Sequence, residues 1–535
     1  MDDSLAAPGG TLIADGRVPD GARLAGLRLV AGDWALTACA YLAVALVLRG
    51  LTFGNPVVHI DEQFYLLIGD RMLHGALPYV DIFDRKPLGL FLLFAAIRKL
   101  GGEGFIEYQI VALLVASATA LLVNRLAREI APRAGAFWAG VGYLLYLSVF
   151  DCYGGQAPVF FNPLVALAAL VVYRAWTAAR ADRLFASGAL AMALVGMALQ
   201  IKYSVVFEGV AFGVALLARG WTAGWRLGRL LFAAAAWCMI ALAPTALAFA
   251  AYAAMGHADA FFFANFVSIL GRKEPQLDAY SRLAQEVAAL FPLWLAIFVA
   301  PGRLGAAREG ASASGHALLR AWAIAAVAGF LLFGTWYDHY VAPLLAPLCV
   351  LAAPALGRGA GEARFAWRRS WLRLSGDARI YTRLMVGFGT LAAAFITGLH
   401  MHAHGTRAQV FHIAQLLKSR MGNGCAYINE GDPSLYMITG SCLMTRFIFQ
   451  NHLNGADERN GLGVVPEREV ARIMALRPPV VMIATKPQSR PTNWQSRAVV
   501  LAALSRDYTR YAVASAGNRE YQLFALRPAL ARGGN

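Results

Sequence analysis

Residues 34–48 read WALTACAYLAVALVL, an uncharged apolar run, and comparable runs recur along the chain as far as residue 400. An α-helix needs ~20 predominantly apolar residues to cross the hydrocarbon of a bilayer. Such spans fall near 33–50, 106–124, 134–150, 158–174, 184–201, 203–218, 230–254, 288–302, 318–335, 339–356 and 384–400. The expected fold is therefore a polytopic α-helical membrane protein with about eleven transmembrane helices. With 58% hydrophobic and 15% charged residues and a mean hydropathy of +0.52, the chain is too apolar for soluble domains of this length. Residues 1–32 are polar and lack the basic-then-apolar order of a cleaved signal, so the first helix is expected to stay as an anchor.

Arginine sets the expected orientation. With the N-terminus in the cytoplasm, the inner segments hold Arg17, Arg23 and Arg28, then Arg125, Arg128 and Arg133, Arg174, Arg180 and Arg183, Arg219, Arg226 and Arg229, and Arg303, Arg308 and Arg320. The next inner loop, GRGAGEARFAWRRSWLRLSGDARIYTR, is the most basic stretch of all. The positive-inside rule thus assigns the +16 net charge to topology and to contact with anionic membrane lipids, not to nucleic acid. An odd number of spans leaves residues 401–535 outside. There CAYINE, VVMIATK and YQLFALR read as strands, and AQVFHIAQLLKSR and EREVARIMALR as helices, which together predict a soluble α/β domain. Cys425 and Cys442 lie in this domain, where a bridge is permitted. Between them, AYINEGDPSLYMITGS reads as a strand, a turn at Gly431, Asp432 and Pro433, and a short helix or strand ending at Gly440.

The same topology gathers ionisable residues on the outer face: Asp61, Glu62, Asp81, Asp84, Arg85 and Lys86 in a first outer loop at 51–105, then Asp151, Lys202, and the run Trp336 to Tyr340 with His339. Ionisable groups at membrane depth are costly and so mark functional sites. Carboxylates beside cations suit a reaction in which a base takes a proton while cations hold an anionic leaving group. Each has a structural competitor. Asp61 could cap a helix, Lys202 could reach to the interface, His339 and Tyr340 could belong to an interfacial aromatic belt, and Asp84 could form an exposed ion pair with Arg85.

The stretch DEQFYLLIGDRMLHGALPYVDIFDRKPLGLFLL resembles the first outer loop of the GT-C membrane glycosyltransferases, in the group of protein O-mannosyltransferases and the aminoarabinose transferase of lipid A. Asp61, Glu62, Tyr65, Gly75, Pro78, Tyr79, Asp81, Lys86 and Pro87 match that pattern in order and spacing, and GMALQIKYS with Lys202 and DHYVAPLLAP with His339 and Tyr340 agree. The resemblance covers about residues 33–400, which it implies are the catalytic domain, followed by an extracytoplasmic domain at 401–535. Two positions depart from it. Asn162 stands where the family has a second acid at the start of the fourth helix, with Asp151 upstream, and Lys-Pro-Leu replaces Lys-Pro-Pro.

The resemblance implies inverting transfer of a sugar, hexosyl or pentosyl, from a polyprenyl-phosphate donor to a lipid, glycan or protein acceptor on the outer face of a bacterial inner (plasma) membrane. Asp61 would be the base, with Glu62 beside it. Lys86 and Lys202, with Arg85 and His339, would meet the phosphate, and Tyr65, Tyr79, Asp81, Asp84, Asn162 and Tyr340 would complete the substrate site. No cofactor is implied with certainty, and a divalent metal stays open. A transporter or flippase of a lipid-linked or envelope glycan is the alternative reading, although no internal repeat supports it. The tract LHMHAHG, with His400, His402 and His404, lies where the last span leaves the membrane and is a weak metal candidate.

Overall fold

The computed structural model describes residues 20–273, 275–299, 313–332, 334–357 and 379–528. Arg17, Arg303, Arg308 and residues 358–378 of the basic loop lie outside the described residues. The helices run α1 (Asp20–Arg49), α2 (Ile60–Met72), α3 (Leu88–Arg98), α4 (Phe105–Ala127), α5 (Arg133–Val149), α6 (Ala157–Thr177), α7 (Leu184–Leu199), α8 (Val206–Thr222), α9 (Leu227–Ala254) and α10 (Ala258–Phe262). They continue with α11 (Gln276–Ala289), α12 (Phe291–Val299), α13 (Ala313–Leu332), α14 (Ala342–Ala352) and α15 (Arg379–His404). Among the described residues seven helical stretches are long and apolar enough to cross a membrane: Asp33–Thr52, Phe105–Ala127, Ala157–Thr177, Tyr203–Thr222, Leu227–Ala254, Ala313–Leu332 and Arg379–Met421. The pair Gln276–Ala289 and Phe291–Phe298, bent by 56°, would make an eighth, while Leu184–Leu199 and Ala342–Ala355 are apolar but shorter. Helix length alone therefore gives fewer spans than the eleven read from hydropathy.

With no water in a bilayer to drive helices together, small residues allow close backbone approach. A Cβ at Gly196 of α7 would meet the Ala241 carbonyl of α9 at 2.7 Å, and one at Gly188 would overlap the Trp237 ring. Residues 258–271 are helical, with a π-helical turn over Phe263–Val267.

After α15 come α16 (Arg407–Met421), β1 (Ala426–Ile428), α17 (Ser434–Thr439), α18 (Gln450–Asn454), α19 (Pro466–Ala475), β2 (Val480–Ala484), α20 (Trp494–Asp507), β3 (Tyr508–Ala516) and β4 (Arg519–Leu526). The strands form one mixed sheet in the order β1-β2-β4-β3. β1 lies parallel to β2 with Tyr427 opposite Val481. β4 is antiparallel to both neighbours, and β3 carries an irregularity at Arg510/Ala512. The three strands and two helices read from sequence are present, and β3 is added by pairing with β4. Cys425 and Cys442, 17 residues apart, are bridged with their Cα atoms 5.0 Å from each other. Thr406 caps α16 through a capping box with Gln409.

This outer domain is fastened to the first outer loop. The Gln63 amide bonds Asp432 and the Ser434 N–H, Arg71 donates to the carbonyls of Tyr436 and Ser441, and the Phe83 N–H donates to the Arg446 carbonyl. Asp432 in turn holds Arg519 at 2.8 Å. The helix that begins at Ile60 is thereby clamped between the membrane bundle and the sheet domain.

Candidate active site

His59 precedes α2 as its N-cap, its Nδ1 accepting the Asp61 N–H at 3.1 Å. Asp61 and Glu62 then occupy the first turn, where the helix dipole favours negative charge. They face different surroundings. Asp61 lines a cavity of about 780 Å³ between the outer helix ends and the sheet domain. Burial works against its charge, but Lys86 and His59 outweigh it and hold the carboxyl at about 2. Glu62 is 0% exposed and does not line the cavity. Burial lifts it to about 7, and a Cβ at Gly154 would overlap its carboxylate.

Lys86 is presented by a tight loop. Tyr79 adopts a left-handed backbone (φ 70°), its N–H donates to the Ile82 carbonyl at 2.7 Å, and its hydroxyl donates to the Lys86 carbonyl at 2.8 Å. The Leu90 N–H donates to the Gln200 carbonyl, which pins the start of α3 to the end of α7 and brings Lys86 toward Lys202. The Lys202 ammonium lies 3.7 Å from the centre of the Tyr340 ring, and that of Lys86 5.8 Å from the Tyr65 ring. Among the described residues neither ammonium has a hydrogen bond or ion pair, and both line the cavity. His339 joins them there, with its Nε2 3.9 Å from the Asp61 carboxylate.

A second carboxylate enters from the loop between α5 and α6. Asp151 (φ 56°) places one oxygen 2.9 Å from His59 Nε2 and the other 3.1 Å from His400 Nδ1. Burial opposes its charge, and the two histidines hold it well below the usual carboxylate range. The loop is organised by Arg49, 1% exposed at the end of α1, whose guanidinium donates to the carbonyls of Cys152, Tyr153 and Gly154 at 2.7, 3.1 and 3.0 Å. His59, Asp61 and His339 offer ligand atoms all within 4.8 Å of one another. Both ring nitrogens of His59 are already engaged, Nδ1 by the Asp61 N–H and Nε2 by Asp151, so a cation held there would have to displace one of these contacts.

Several sequence expectations are corrected. Asn162 does not line the cavity: it is buried, and its amide donates to the Tyr143 hydroxyl and the Ala342 carbonyl. Asp151, not Asn162, brings the second acid, because the loop before α6 turns back toward His59. Tyr79 is buried beneath Lys86, and exposed Asp81 accepts the Leu77 N–H at 2.7 Å, so both build the loop outside the cavity wall. Arg85 lines the cavity but is engaged, 2.6 Å from Glu458 and bonded to the Ser268 hydroxyl. Asp84 is buried with one oxygen on the Arg85 N–H, and no side-chain pair joins the two. Tyr65, Lys86, Lys202, His339 and Tyr340 line the cavity. Sequence reading missed Arg49, because a lone arginine at a helix end looks like an interfacial anchor. It also missed Phe449, Asn451, His452 and Glu458, which the sheet domain contributes to the cavity and which no motif marks.

No family model matches the chain, and no curated protein matches it in sequence. The fold is similar to that of ArnT from Cupriavidus metallidurans, solved bound to undecaprenyl phosphate, with a TM-score of 0.61 at 16% identity over 92% of this chain and 98% of that one. It is also similar to the archaeal oligosaccharyltransferase AglB from Archaeoglobus fulgidus, solved with an inhibitory peptide and a dolichol-phosphate: TM-score 0.52, 12% identity, 90% of this chain and 73% of that one. The chain is a multi-pass membrane protein with the GT-C glycosyltransferase fold. In this chain the helices carry a small C-terminal mixed-sheet domain that roofs the cavity.

Proposed function

We propose that the protein transfers a hexosyl or pentosyl unit, with inversion, from a polyprenyl-phosphate donor to a lipid, glycan or protein acceptor at the outer face of a bacterial inner membrane. The observation that carries this reading is one cavity lined by Asp61, Lys86 and Lys202, with neither lysine head group in a hydrogen bond or ion pair among the described residues. Unpaired cations in a poorly solvated site are costly unless an anion joins them. The solved relatives in fold hold undecaprenyl phosphate and a dolichol-phosphate, which supports a lipid phosphate as that anion.

Asp61 takes the proton of the acceptor hydroxyl as its oxygen bonds the anomeric carbon. The bond from that carbon to the phosphate breaks on the opposite face, and its electron pair leaves with the lipid phosphate, whose charge Lys86 and Lys202 meet. Glu62, beneath the cavity wall, supports the turn that holds Asp61. The proposed domain division is 1–32, 33–400 and 401–535, with the N-terminus cytoplasmic. The arginine distribution supports that orientation, and the Cys425–Cys442 bridge supports an oxidising side for the sheet domain.

The test is transfer by the purified full-length protein from radiolabelled undecaprenyl-phosphate sugars to envelope acceptors. Asp61→Asn should lower turnover at least ~100-fold at saturating donor while the protein stays folded. Near-normal turnover of that variant would remove Asp61 as the base. Movement of the lipid across vesicles without any sugar transfer would favour the flippase.

A further inference from the structure

The cavity is ordered from the membrane outward. Its apolar side, with Leu199, Val206 and Leu242, is formed by the membrane helices α7, α8 and α9. Lys86 and Lys202 follow, and beyond them the sheet domain closes it with Phe449, Asn451 and His452. A lipid-linked donor has the same order, since its sugar is bonded directly to the phosphate on the side away from the isoprenoid.

Several polar groups lining this cavity lack a partner within the fold among the described residues. The Tyr65 hydroxyl, on a side chain 1% exposed, has no hydrogen-bond partner, nor has His452 Nδ1, on a side chain 3% exposed. Half-buried Asn451 accepts at Oδ1 from the Ser489 hydroxyl, while its Nδ2 bonds nothing among the described residues. Buried polar groups are almost always satisfied, so such a set around one cavity marks a ligand. The surroundings also fit. His452 packs against Phe64, Phe83 and Phe449, with ring centres 6.1, 5.2 and 5.4 Å away. An apolar wall with a few placed polar groups suits a ring that has both C–H faces and hydroxyls.

Resting on the function proposed above, we propose that Tyr65, Asn451 and His452 form the subsite for the donor's sugar ring, so that the sheet domain selects which sugar is transferred. Burial, despite nearby Glu458, holds His452 down at about 3, so at neutral pH it is an uncharged partner for hydroxyls. Arg85 and Arg272 fix the subsite's roof: Glu458 lies 2.6 Å from Arg85 and 3.2 Å from Arg272.

The experiment measures binding of undecaprenyl phosphate, and of its hexose, pentose and aminosugar derivatives, to the full-length protein in nanodiscs. His452→Phe keeps the aromatic packing, and Asn451→Ala serves as a second variant whose fold does not depend on that ring. Wild type should bind one glycosylated form more tightly than undecaprenyl phosphate. Each variant should lose about tenfold of that preference while affinity for undecaprenyl phosphate changes by less than about twofold. The subsite is refuted if both variants keep the wild-type preference, if they alter only the acceptor KM, or if no glycosylated form outcompetes the bare lipid phosphate. Wild type that fails to bind undecaprenyl phosphate at all would instead overturn the donor reading on which the subsite rests.

Discussion

Replacing Arg49 by methionine tests whether one buried guanidinium holds the Asp151 loop. Methionine fills a similar length but donates nothing. The carbonyls of Cys152, Tyr153 and Gly154, which accept from Arg49 at 2.7 to 3.1 Å, would be left without that donor beneath the cavity. A buried polar group without its partner costs about 1–3 kcal/mol. Relaxation of the loop returns part of that, so a net loss of about 3–5 kcal/mol is expected, a large share of the ~5–15 kcal/mol typical of a folded protein. Arg49→Lys should fall between the two, since one ammonium cannot span three carbonyls as a planar guanidinium does. The assay is thermal unfolding of the purified variants in detergent, paired with thiol labelling of Cys152, which is 0% exposed in the native fold. The expected result is a clear drop in melting temperature with Cys152 becoming reactive below the transition. A melting temperature equal to wild type, with Cys152 still protected, would show that the loop is held by other contacts.

Lys86→Ala and Lys202→Ala should each weaken binding of undecaprenyl phosphate by about tenfold or more, read by competition in nanodiscs; unchanged affinity in Lys202→Ala would leave that side chain an interfacial anchor. His452 has a folded pKa of about 3, below the ~6.5 of an unfolded histidine. Its contribution to stability is therefore intact above about 6.5 and lost toward pH 3, where the unfolded chain binds a proton that the native fold excludes, at about 1.4 kcal/mol per pH unit. His452→Phe should flatten that part of the pH–melting curve, and an unchanged slope would refute the assignment. Removing the bridge with Cys425→Ala and Cys442→Ala should destabilise the sheet domain by about 3 kcal/mol, measured by denaturant unfolding.

What the sequence determined by itself is whatever depends on local pattern. Apolar runs of membrane length define helices without any tertiary information, and the alternation in VVMIATK and YQLFALR is enough for β2 and β4. Motif spacing also singled out Asp61, Lys86 and Lys202, which stand at the starts of two helices and the end of a third. The tertiary structure decided what each group meets. Asp61 and Glu62 are adjacent in sequence, yet one faces the cavity ionised while the other is sealed against Gly154, because successive helical residues point about 100° apart. Whether Arg85 or Lys86 stays free was settled by Glu458, 373 residues away. Asp151 rather than Asn162 became the second acid through the turn that Arg49 holds, and Asn451 and His452 reached the cavity only because the sheet domain folds back over it. Such long-range partners leave no periodicity in the chain, since they arise from which surfaces pack together and not from the order of neighbouring residues.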